Sequence, residues 1–142
     1  MTSPALAMQN AMEATLRADA AVKAIFGGTT RLYIMDAPND APFPHVIIGE
    51  CQEIGDDTEC ASVTDLAETI HVYARGAKPN DGRSEAKAIA DAVRRALTVK
   101  LTIDGHVVDD WEFEGSRHFS DIDGLTAHSV VTINYQTTAN AA

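Results

Sequence analysis

Helix, strands, helix, strands, joined mostly by hairpin-type connections, is the order that predicts an α+β fold: a mainly antiparallel sheet with an N-terminal helix and a second amphipathic helix packed on one face. Three stretches carry that reading. Ala41 to Glu50 runs from prolines, which cannot donate ladder hydrogen bonds, directly into the β-branched Val46-Ile47-Ile48, so a strand begins there. Ser84 to Leu97 sets Ala86, Ile89, Ala90, Val93 and Leu97 at helical spacing, with Lys87, Asp91, Arg94 and Arg95 on the wet side. Asp104-Gly105 is a two-residue hairpin signal between Leu101-Thr102-Ile103 and His106-Val107-Val108.

Taken in order, Ser3-Pro4 caps and starts a helix whose stripe is Ala5, Leu6, Met8, Met12 and Leu16, ending near Arg17. Asp19 caps a second short turn through Val22, Ile25 and Phe26, which Gly27-Gly28 stops. Arg31 to Met35 reads as a short strand. Asp36 to Pro44, with three prolines, reads as a surface loop before a strand from Val46 to about Ile54. Residues 53–65 form an acidic, solvated and mobile connection that interrupts a hairpin; Glu53, Asp56, Asp57, Glu59 and Asp65 lie in it. Such a loop either has no role, orders against a partner or lines a channel.

Leu66 to Ala74 is the return strand, with Ile70, Val72 and Ala74 on one face and Thr69, His71 and Tyr73 on the other. Gly76 to Gly82, with Pro79 and Asn80, breaks the chain before the helix that Ser84 caps. Within that helix Asp91 and Arg95 are spaced for an ion pair. From Trp111, the row Trp111, Phe113, Gly115, Arg117, Phe119 alternates with Glu112, Glu114, Ser116, His118, which faces solvent or a partner. After a turn at Asp121 to Gly124, Ala127, Ser129, Val131, Ile133 and Tyr135 alternate with His128, Val130, Thr132, Asn134 and Gln136, and residues 137–142 fray. The whole, residues 1–142, is expected to be one domain.

A formal net charge of -10 argues against a basic groove that would neutralise phosphates, so specific nucleic-acid binding is not expected. The N-terminus has no signal-peptide pattern and no apolar run is long enough for a bilayer, so a soluble, unexported protein is expected. Cys51 and Cys60 are too few for a disulfide scaffold or a tetrahedral zinc site, and free thiols are expected, with a bridge across a hairpin between them as the alternative. His45, His71, His106, His118 and His128 are scattered over different strands without metal-ligand spacing, and His71 and His118 read as exposed or interfacial rings. Glu112 and Glu114 are solvated on one strand face, with nothing to raise either pKa for acid–base work. Gly27-Gly28-Thr29-Thr30 lacks the lysine of a phosphate loop and follows a helix. The acidic loop lacks the spaced ligands of a calcium-binding hand. No catalytic, cofactor or metal site is expected.

Ala41-Pro42-Phe43-Pro44-His45-Val46-Ile47-Ile48-Gly49-Glu50, the strand Ile70-His71-Val72-Tyr73 and the helix start Gly82-Arg83-Ser84-Glu85-Ala86 together resemble the tail terminator, or tail-completion, family of long-tailed bacteriophages and gene transfer agents. The likeness runs from the N-terminal helix to the last strand. His45, where the pattern has an aromatic residue, and the acidic loop after Cys51 depart from it. The resemblance implies a non-enzymatic virion protein at the head–tail junction, assembled in the host cytoplasm. It implies a homohexameric ring that caps the tail tube, stops its polymerisation and meets a head-completion or stopper protein. DNA passes through such a ring without specific binding, and acidic walls suit that passage. A closed ring needs a heterologous contact, expected here on Glu112, Glu114 and His118 and on the proline loop with Pro42 and Phe43. Another neck component, or more distantly a small cytosolic ligand-binding domain or enzyme with a polar-lined pocket, is the alternative.

Overall fold

Three helices and five strands arise from these signals in the computed structural model, which describes residues 2–78 and 81–140. Helix α1 (Pro4–Ala18) opens at Ser3, whose hydroxyl accepts from the Leu6 amide at 3.2 Å, and α2 (Ala20–Ile25) opens at Asp19, whose carboxylate accepts from the Val22 amide at 3.0 Å. Gly27 and Gly28 then turn the chain with φ of +78° and +122°, which side chains oppose. The strands are β1 (Leu32–Ile34), β2 (His45–Gly55), β3 (Val63–Arg75), β4 (His106–Ser120) and β5 (Thr126–Ala139), with α3 (Arg83–Leu97) between β3 and β4.

The sheet order is β1-β2-β3-β5-β4, antiparallel except for the short β1–β2 pair. β3 and β5 pair without a break from Val63 opposite Thr138 to Arg75 opposite Thr126. The helices cover one face. Met8, Met12, Leu16, Val22, Ile89, Val93 and Leu97 join Val46, Ile48, Ile70, Val72, Val131 and Ile133 in the core. Tyr135 is buried among them and its hydroxyl donates to the carbonyl of Leu97, tying the end of α3 to β5. Glu68 lies on the same face, buried, with Oε2 unpaired by any described residue. Burial raises its carboxyl pKa.

The structure corrects several expectations. Leu6 is 48% exposed and Ala7 takes its place in the α1 stripe. Gly82, not Ser84, stands at the start of α3, so Ser84 belongs to the first turn. β2 runs to Gly55 and β3 begins at Val63, so the irregular part of the acidic segment is residues 56–62, the tip of a hairpin. That tip is hydrogen-bonded: Asp57 Oδ1 accepts from the Ser62 hydroxyl at 3.2 Å and the Val63 amide at 3.1 Å, and Thr58 Oγ1 from the Ala61 amide at 3.1 Å. Thr137 to Ala139 complete β5 against Val63 and Thr64 instead of fraying; Ala141 and Ala142, like Pro79 and Asn80 in the expected break, lie outside the described residues.

The row from Trp111 to Phe119 does not hold one face. The β4–β5 register shifts between Phe113 and Gly115, so Trp111 and Phe113 lie opposite core residues Tyr135 and Ile133, whereas Phe119 lies opposite His128 on the other face. A bulge adds one residue, and every side chain beyond it changes sides.

Tyr135→Phe is expected to lower unfolding stability by about 1–3 kcal/mol, because it leaves the Leu97 carbonyl buried without a donor; an unchanged denaturant midpoint would contradict this. For Glu68 the folded chain holds its proton to higher pH than the unfolded chain, so its cost is absent below the ordinary carboxyl range and grows as pH rises. Glu68→Gln is therefore expected to stabilise the fold more at pH 8 than at pH 4, and equal gains at both would count against the assignment.

Candidate functional site

The sheet face opposite the helices gathers residues that the sequence scatters. Alternation sends Thr69, His71 and Tyr73 of β3 to this face, and the ladders place His45 of β2 and His128 of β5 on either side of Tyr73. Tyr73 stacks on His128 with ring centres 4.2 Å apart and on His45 at 5.4 Å. Phe43 and Tyr33 close around His45 at 5.0 and 5.7 Å, and Phe119 meets His128 at 4.6 Å. His45 thus serves as one ring of an aromatic row.

Through this row runs a line of polar contacts. A register shift in β2 between Ile48 and Cys51 accompanies the contact of Glu50 with His71, whose Nε2 is 2.7 Å from Glu50 Oε1. Gly49 leaves room for the ring, since a Cβ there would lie 2.7 Å from His71 Cδ2. His71 Nδ1 is 2.8 Å from His128 Nε2, and His128 Nδ1 is 3.4 Å from Asp121 Oδ1.

One proton on each ring satisfies the two short contacts: His71 Nε2–H donates to Glu50, and His128 Nε2–H donates to His71 Nδ1, while His128 Nδ1 faces Asp121 at the longer distance. Burial holds His128 and His45 below the ordinary imidazole range, and the hydrogen bond from His71 holds Glu50 below the usual carboxylate range. In each case the unfolded chain binds more protons between the folded and ordinary values, so stability from these groups is full above the ordinary value and is lost as pH falls.

The expected site residues fall in several places. Asp56, Asp57 and Glu59 sit in the hairpin tip. Asp65 is on the open face, accepts from Gln136 Nε2 at 3.3 Å, and shares a shallow pocket with Asp110 and Glu112. Pro42 is exposed, and its carbonyl lies 3.1 Å from His45 Nδ1. Phe43 packs under the Arg75 guanidinium at 4.4 Å, which also reaches Asp123 at 2.8 Å. Glu112, Glu114 and His118 do not share a face: Glu112 lies opposite Asn134 on the open side, Glu114 is at the bulge, and His118 bonds the Ser129 hydroxyl at 2.7 Å on the helix side. His118 borders a groove of about 290 Å³ between α3 and β4, whose lining includes Lys87, Asp91, Arg94, Arg95 and Phe113.

Sequence reading missed the pairing of His71 with His128 and the parts of Glu50 and Asp121. The signal was present as alternation on β3 and β5, but joining the rings needs the register between strands 57 residues apart. Among the described residues no group of three or more His, Cys, Asp or Glu side chains has the geometry to hold a metal ion. Cys51 and Cys60 are free thiols.

The family model of the tail completion protein gp17 matches residues 10–138. A chain of the virion of a native gene transfer agent particle superposes with a TM-score of 0.84 at 21% identity, covering 98% of this chain and 100% of that one. The gp17 protein of bacteriophage SPP1 superposes with a TM-score of 0.57 at 21% identity, covering 92% of this chain and 88% of that one. No curated protein matches the sequence significantly.

The burial of His45 and His128 makes the fold sensitive to acid. The melting temperature is expected to fall between pH 7 and pH 5, and His128→Gln, which removes one partner of the pair, is expected to flatten that fall. Identical pH slopes for the two proteins would contradict the account.

Proposed function

The chain belongs to the tail-completion protein family, and on that premise we propose that it is a structural, non-enzymatic virion component. It closes the head-proximal end of a tail tube, ends tube polymerisation and joins tail to head. The match of the family model to residues 10–138 is the observation that carries this reading. The superposition on a gene transfer agent chain over its whole length supports the fold on which it rests.

Its partners are further copies of itself in a homohexameric ring, the tail tube protein and a head-completion or stopper protein. Ring closure requires two different surfaces on each subunit. The sheet offers them at its ends: β1 with the proline loop on one side, and the long, twice-bulged β4 on the other. β4 carries Asp109, Asp110, Glu112 and Glu114, charges that discourage indiscriminate edge pairing while leaving the edge open to a specific partner. DNA passes the ring without specific contacts, and a net charge of -10 supports this because anionic walls do not retain phosphates.

Electron microscopy of particles assembled with this gene disrupted tests the proposal. Tail tubes of uncontrolled length beside tail-free, DNA-filled heads are expected. Normal tails on normal heads would refute it.

A further inference from the structure

Charge is distributed along this chain in two opposed blocks. From Glu50 to Asp65 there are six acids, Glu50, Glu53, Asp56, Asp57, Glu59 and Asp65, and no lysine or arginine. From Arg83 to Lys100 lie five of the eleven lysines and arginines: Arg83, Lys87, Arg94, Arg95 and Lys100. The fold concentrates the first block at the β2–β3 hairpin and its tip, and sets three members of the second, Lys87, Arg94 and Arg95, around the α3–β4 groove.

The groove has unmet positive charge. Arg95 is matched by Asp91 at 2.8 Å, but neither Lys87 nor Arg94 has a carboxylate partner among the described residues. Arg94 lies over the Phe113 ring at 4.6 Å, an arrangement that positions the guanidinium beside the groove. At the tip, Asp57 is engaged in closing the turn, whereas the Asp56 and Glu59 carboxylates accept no hydrogen bond from the described residues. A tip cannot reach the groove of its own chain. The groove runs from Phe113, level with Ile133 of β5, to His118, level with Ser129, and the tip begins level with Thr138, five to nine residues and roughly 17–30 Å along the strand.

We propose that the acidic β2–β3 tip of one copy seats in the basic α3–β4 groove of the next, giving the ring a charged head-to-tail contact. The proposal rests on the ring-forming reading above and adds this contact to the two sheet edges named there. Charge complementarity selects the occupant. Copies with a net charge of -10 repel one another at long range, so a contact that juxtaposes Asp56 and Glu59 with Lys87 and Arg94 directs association to one orientation. Because the tip and the groove are different surfaces, each copy keeps one of each free for its neighbours, which is the condition for closing a ring.

The native Cys60 is an exposed thiol within the tip and serves as a probe. In a Cys51→Ser background, Lys87→Cys is introduced, particles are purified, and a short bis-maleimide is added. A ladder of this chain's multimers is expected, absent when the second cysteine is placed instead by Thr132→Cys on the opposite sheet face. Separately, Asp56→Lys with Glu59→Lys, and Lys87→Glu with Arg94→Glu, are each expected to reduce incorporation into particles at least tenfold. All four changes together should restore it. Protein present in particles without the crosslink, or two losses without mutual rescue, would overturn the contact and assign the groove to DNA or another virion protein. Wild-type protein missing from purified particles would instead overturn the tail-completion reading on which the contact rests.

Discussion

The unbroken ladder between β3 and β5 is the constraint on which the rest of the structure depends. It places Ile70, Val72 and Ala74 against the helices together with Val131, Ile133 and Tyr135, and sends His71, Tyr73 and His128 to the other side. A slip of one residue in either strand would exchange those sets, exposing core side chains and burying imidazoles. Several buried aliphatic residues, each contributing about 1.5–3 kcal/mol by burial, oppose such a slip. The histidine pair is geometrically exact enough to bond at 2.8 Å because apolar burial on the reverse face holds its register.

Departures from regular pairing are placed where the two faces need different things. The irregularity in β2 lies beside the Glu50–His71 contact, and Gly49 gives the ring its space. The shift near Glu114 keeps Phe113 over the core and under Arg94, yet delivers Phe119 to His128 on the far side. One strand thereby supplies aromatic contacts to both layers. The electrostatics are equally divided: the tip of the acidic hairpin and the α3–β4 groove lie at different levels along the strands, and no ion pair joins them among the described residues.

Local signals were legible in the sequence where a few neighbouring residues decide the outcome. Ser3 and Asp19 cap helices, Gly27-Gly28 stops one, Asp104-Gly105 makes a tight turn, and the alternation on β3 and β5 assigns each residue to its face. The α+β class follows from the order of these elements. What could not be read is the outcome of pairing between distant segments. Alternation from Trp111 to Phe119 looked continuous because a bulge leaves no mark in the pattern, and His118 was consequently placed with Glu112 and Glu114. The acidic run looked like a loop because its composition is that of a solvated linker, yet backbone pairing carries the strand through Glu53, Ile54 and Gly55. Membership of the tail-completion family was legible from the proline-to-strand segment, the strand Ile70 to Tyr73 and the start of α3, and the family model matches residues 10–138, which contain them.

The central claim is that this fold closes a tail at the point where the head attaches. Cryo-electron microscopy of the neck of intact particles addresses it directly. A ring of this fold, stacked on the last tail tube layer and facing the head-completion proteins, is the predicted density. The same fold found in the capsid or at the distal tip of the tail, or absent from the particle, would contradict the account.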